Sequence, residues 1–128
     1  MAMTENCRGM RLTLALSYSG RSELTDAMRR LAAEVRRGHL QPEEITEELI
    51  TRHLYIDDLP EPDLVIRTSG EERISNFMIW QIAYAELCFL DIPWPDFRKE
   101  HLFRAIRDFQ QRDRRFGVIP QQVRERVG

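Results

Sequence analysis

The sequence predicts an α/β domain of parallel strands with helices on both faces. Three observations carry that expectation. Short apolar runs of strand length stand at residues 10–17, 63–66 and 87–90. The stretches between and after them show helical spacing. A polar loop containing a glycine follows the second run, at the edge where open α/β sheets bind ligands.

Taken in order, residues 1–9 are expected to be disordered, residues 10–119 to form the domain and residues 120–128 to be a frayed tail. MRLTLALS alternates and then runs apolar, as a strand does. Tyr18, Ser19, Gly20 and Arg21 then turn the chain. Ser22 or Thr25 is placed to cap a helix reaching to about Arg37, with Leu24, Met28, Leu31, Ala32 and Val35 at helical spacing and Gly38 as C-cap. Gln41, Pro42, Glu43 and Glu44 open a second helix with the proline and acids that helix N-termini favour, and Ile45, Leu49 and Ile50 supply its buried face.

A connector over residues 53–62 leads into Asp63, Leu64, Val65 and Ile66, whose apolar run suits a buried strand of a parallel sheet. Residues 67–73 form the loop, with Gly70 permitting a tight turn. Residues 77–84 have the composition of a short buried helix, with Ser75 as its N-cap. Leu87, Cys88, Phe89 and Leu90 make a third strand. The dense prolines of Pro93, Trp94, Pro95 and Asp96 mark a rigid turn, and a helix follows over residues 99–112 with Leu102, Phe103, Ile106 and Phe109 on one face.

The chemistry concentrates between Asp63 and Glu86. A helix start carries free N–H groups and partial positive charge, and Arg67 and Arg73 flank the approach to it, so the local reading is a site for phosphate or diphosphate. The competing reading pairs both arginines with Glu71, Glu72 and Asp63 in a solvated loop. Glu86, between Ala85 and Leu87, is either a metal ligand or a strand residue facing water. His39 and His53 lack a second His or Cys at ligand spacing, which argues against metal there.

A chain of 128 residues with 42% hydrophobic residues suits one domain with a modest core. A net charge of −2 gives no electrostatic case for nucleic acid. Cys7 and Cys88 read as reduced thiols of a cytoplasmic protein. The first ten residues lack an apolar signal core, and no apolar run has the length of a membrane span, so any membrane contact is expected to be peripheral.

The stretch RTSGEERISNFMIWQIAYAELCFLDIPWPDF resembles the C-terminal signature of the cis-prenyltransferases, the undecaprenyl diphosphate synthase family, and the similarity extends along most of the chain. The match is long, ungapped and rich in uncommon residues. The resemblance implies that Arg67, Arg73 and Ser75 hold the diphosphate of isopentenyl diphosphate and that Glu86 helps to hold Mg2+. It implies that Arg115 and Gly117 fit the family's Arg-x-Gly motif, which reaches across a dimer to contact the partner's phosphate. Arg21 takes a supporting role at most. Ser69 and Glu72 depart from the Gly and His common in the family.

Members of that family begin with a His-x-x-Met-Asp-Gly-Asn-Gly-Arg-like segment, whose Asp binds magnesium and the allylic diphosphate; residues 1–17 do not resemble it. The expected structure is therefore a partial undecaprenyl diphosphate synthase-like fold, roughly the C-terminal half, and the catalytic residue stays unknown. The implied activity is transfer of a prenyl group, condensing isopentenyl diphosphate with an allylic diphosphate such as farnesyl diphosphate. The implied partners are a second copy or a complementary subunit. A catalytically inactive diphosphate-binding or regulatory partner, keeping the fold and dimer surface, is the alternative.

Overall fold

In the computed structural model, residue 6 and residues 8–112 are described. The expected disordered start, the tail, Cys7, Arg115 and Gly117 lie wholly or largely outside those residues. The order of elements is α1 (Gly20–Arg36), a 3-10 turn (Pro42–Glu44), α2 (Glu47–Thr51), β1 (Leu64–Arg67), β2 (Glu86–Phe89), a second 3-10 turn (Trp94–Asp96) and α3 (Lys99–Gln110).

β1 and β2 pair in parallel, with Leu64 opposite Glu86 and Arg67 opposite Phe89, which confirms the α/β class. Among the described residues the sheet has two strands, not three. Residues 10–17 join no ladder, Ser17 bends at φ +53°, and Leu12, Leu14 and Leu16 are exposed. Alternation alone does not make a strand. Without a neighbour to bond its N–H and C=O groups, the segment has the pattern of a strand and no sheet to enter.

α1 begins earlier than expected because Ser19 is its N-cap, its Oγ accepting from the N–H of Ser22. Thr25 instead turns its hydroxyl back to the Arg21 carbonyl. The helix buries Gly20, Glu23, Ala27 and Leu31, a stripe rotated from the one expected, and Met28 is 43% exposed. Gly38, at φ +73°, stands just past the helix end as foreseen. The second helix is split: Ile45 leaves helical geometry, and Thr46 caps α2 through the N–H of Leu49.

The largest departure is at residues 77–84, which form successive turns instead of a helix. Ser75, Asn76 and Met78 hold φ of 48°, 63° and 45°, a left-handed region that no right-handed helix tolerates. The connection from β1 to β2 is thus an irregular crossover. The packed interior gathers Ala27, Leu31, Leu54, Ile82, Cys88 and Ala105 around the polar Glu23 and Gln81, and Cys88 is a buried free thiol. On α3 the buried residue is Ala105, while Leu102 and Phe103 lie exposed, contrary to the expected face. No described helix is long and apolar enough to cross a membrane.

Candidate functional site

The site is built at the carboxyl end of β1. The Arg67 carbonyl accepts from the Leu90 N–H at 2.8 Å, and beyond it Ser69 donates to Ile92 at 2.8 Å and Gly70 to Leu90 at 3.1 Å. The loop is therefore zipped to the segment leaving β2. Gly70 is favoured by its φ of +64°, and a Cβ there would lie 2.9 Å from Asp91 Oδ1, a side-chain tip free to move aside. Ser69 takes a comparable φ of +69° without that freedom.

Arg67 and Arg73 line one cavity of about 210 Å³, whose other walls are the apolar side chains of Val65, Ile66, Ile74, Phe77, Ile82, Leu87 and Phe89. Arg67 Nε is buried with no hydrogen-bond partner among the described residues. A buried donor left unpaired costs free energy in the chain as it stands. Arg73 is more exposed and pairs with Glu71 at 2.5 Å, so the solvated-loop reading holds for that arginine in the free chain.

Ser75 does not cap a helix. It is exposed at φ +48°, between Arg73 and Asn76. Asn76 does what the sequence reading gave to no residue: its carbonyl accepts from Gly20 N–H at 2.9 Å, its Oδ1 from Arg21 N–H at 2.9 Å, and its Nδ2 donates to Ser19 Oγ at 2.9 Å. The N–H groups of Gly20 and Arg21, the first of α1, are thereby occupied. Arg21 contributes its backbone to this clasp, a supporting role.

Beneath the clasp lies a buried carboxylate. Glu23 accepts from the Tyr18 hydroxyl, from Tyr55 N–H at 2.9 Å and from Gln81 Nε2 at 3.0 Å. Burial, and then the bond to Glu23, push the Tyr18 phenol well above its ordinary ionisation range. Trp80 Nε1 donates to Thr51 Oγ1 at 3.1 Å, tying the crossover to α2 as well.

Glu86 stands at the other end of the sheet. It opens β2 opposite Leu64, three residues before the Arg67–Phe89 pair, a rise of about 10 Å along the strands. The sheet therefore does not bring Glu86 beside Arg67. The Glu86 N–H donates to the Asp63 carbonyl, and its Oε2 accepts from Arg112 Nη1 at 3.1 Å. Among the described residues no three His, Cys, Asp or Glu side chains converge. A partly exposed carboxylate still suits Mg2+, which commonly takes one or two carboxylates and completes its shell with water and substrate phosphates.

Comparison with known proteins agrees with this architecture. The prenyltransferase family model described as undecaprenyl diphosphate synthase matches residues 1–117. An isoprenyl transferase of Chlorobaculum tepidum is 52% identical over 95% of this chain and 46% of its own length. A tritrans,polycis-undecaprenyl-diphosphate synthase (geranylgeranyl-diphosphate specific) of Methanopyrus kandleri is 55% identical over 83% of this chain and 39% of its own. The crystal structure of lavandulyl diphosphate synthase from Lavandula x intermedia, in complex with dimethylallyl diphosphate, superimposes with a TM-score of 0.84 at 38% identity, covering 91% of this chain and 50% of that one. The chain thus spans about half the length of the relatives it matches or less. On these matches, the chain belongs to the undecaprenyl diphosphate synthase family of prenyltransferases.

Proposed function

We propose that this chain supplies the isopentenyl diphosphate side of a cis-prenyltransferase site and turns over in company with the other half of the family's domain or a partner subunit. The observation that carries the reading is Arg67, whose buried Nε lacks a partner at the rim of an apolar cavity shared with Arg73. Two guanidinium groups beside an apolar hollow match a ligand with a diphosphate head and a short hydrocarbon tail.

In the reaction, the allylic carbon–oxygen bond breaks and its diphosphate leaves. The double bond of isopentenyl diphosphate forms the new carbon–carbon bond, and loss of a proton leaves a cis double bond. Arg67 and Arg73 act by positioning: they fix the nucleophile's diphosphate, Arg73 first exchanging its bond to Glu71 for one to phosphate. Ser75, exposed between them and Asn76, offers its hydroxyl to the same head group. Glu86 is the carboxylate that would hold Mg2+, whose contribution is charge neutralisation on a diphosphate. Arg115 and Gly117 would contact phosphate from a second copy. The product is a lipid diphosphate, so we place the protein in the cytoplasm with peripheral access to membrane.

A diphosphate-binding or regulatory partner without catalysis is the second reading. It is favoured by the ion pair that Glu86 makes with Arg112 and by its distance from Arg67 along the sheet. Prenyl transfer from farnesyl diphosphate to labelled isopentenyl diphosphate with magnesium separates the two, run on the folded chain alone and after adding the N-terminal half of a relative. Labelled lipid in either sample supports the enzyme. Label in neither, from folded protein that binds isopentenyl diphosphate, supports the partner.

A further inference from the structure

We propose that Arg112 is the resident counter-ion of Glu86 and competes with a divalent cation for its carboxylate, so that Arg112 sets the cation affinity of this site. The inference rests on the reading of Glu86 as a metal ligand. One nitrogen, Arg112 Nη1, donates both to Glu86 Oε2 and to the Leu87 carbonyl, each at 3.1 Å. Two acceptors on consecutive residues of β2 hold the guanidinium in one place. That place is directly against the carboxylate.

A magnesium ion bonded to Oε2 sits about 2.1 Å from it. It cannot share that oxygen with a guanidinium nitrogen at 3.1 Å without bringing two cations into near contact. Binding of the ion and the Arg112–Glu86 bond therefore exclude each other at Oε2, and each weakens the other by the same factor. The bond also fastens the end of α3 to the start of β2, because Arg112 follows directly on that helix. Both side chains are partly exposed, at 44% for Arg112 and 30% for Glu86, so the competition is moderate. The arginine lowers affinity without closing the site.

The test is a Mn2+ titration of the full 128-residue chain, reading the free ion by electron paramagnetic resonance, with circular dichroism on each sample. Arg112→Ala is expected to tighten Mn2+ binding about twofold to fivefold, the range an ion pair of this exposure allows. Arg112→Lys, which keeps a positive charge, should stay near wild type. Arg112→Gln keeps a donor for the Leu87 carbonyl without charge and gives the same reading if Arg112→Ala does not fold. Glu86→Gln should remove the site. Equal or weaker binding in the uncharged variants, with loss in Glu86→Gln, overturns the competition and leaves Glu86 as ligand. Unchanged binding in Glu86→Gln overturns the reading of Glu86 and the competition with it.

Discussion

Gly20 donates its backbone N–H to the carbonyl of Asn76 at 2.9 Å, across 56 positions of sequence, at the point where α1 begins and the arginine loop ends. The contact is close enough that a Cβ on Gly20 would lie 2.9 Å from that oxygen and 3.1 Å from Ile79 Cγ1. The loop carrying Arg73 and Ser75 is thus positioned by the N-terminus of a helix some fifty residues upstream.

Gly20→Ala should lower stability by about 1–3 kcal/mol, because backbone atoms must shift to admit the methyl group. Urea unfolding gives the loss. The same variant should bind isopentenyl diphosphate more weakly than a surface variant of equal stability, since the displaced carbonyl belongs to the residue next to Ser75.

Removing the Glu23 carboxylate strands three donors at once, from Tyr18, Tyr55 and Gln81. Glu23→Ala is expected to cost about 3–5 kcal/mol, as loss of one member of a buried polar network does. Glu23→Gln keeps the shape and one acceptor and should cost less. Denaturant midpoints of the two variants give the comparison.

The Tyr18 phenol is held protonated by burial and by its bond to Glu23, so its folded ionisation lies above the ordinary value of about 10. Its contribution to stability is then complete below pH about 10 and is lost as pH rises through the folded ionisation. Urea midpoints measured between pH 8 and about pH 11 should fall, and Tyr18→Phe should flatten the fall. A residual slope is expected from Tyr55, whose hydroxyl donates to Asp26 at 2.7 Å and is thereby also raised.

What the sequence made legible was local. Gly38 ends α1, the prolines around Trp94 make a single 3-10 turn, and Leu64 to Ile66 enter a parallel sheet, with Asp63 outside it and Arg67 added to it, each dictated by neighbouring residues. What it hid depends on distant partners. Glu23 is no part of the stripe of Leu24, Met28, Leu31, Ala32 and Val35, yet it lies on the line of Ala27 and Leu31 and is buried, with Tyr18, Tyr55 and Gln81 supplying its hydrogen bonds. Residues 77–84 are apolar enough for a helix. Beside the clasp of Asn76 on α1, Ser75, Asn76 and Met78 take positive φ instead, and the Ser-Asn pair directly before the apolar run was the available sign. The apolar alternation of residues 10–17 is real, but a strand needs an edge to join.

Ser69 pays a conformational cost at φ +69°. Ser69→Gly, restoring the residue common in the family, should raise stability by up to about 1 kcal/mol, the left-handed penalty less the added freedom of the unfolded chain. Thermal unfolding of the two proteins measures it. Unchanged isopentenyl diphosphate affinity is expected, because the Ser69 N–H keeps its bond to Ile92.

The central claim is that the arginines at the carboxyl end of β1 hold a diphosphate, and calorimetric titration of the folded chain with isopentenyl diphosphate tests it most directly. Saturable binding of one ligand per chain is expected, weakened about tenfold or more by Arg67→Ala and by Arg73→Ala, each of which removes a charge-assisted hydrogen bond of about 1.5–3 kcal/mol. Absence of saturable binding to the folded chain, or affinity that Arg67→Ala leaves unchanged, would contradict the account.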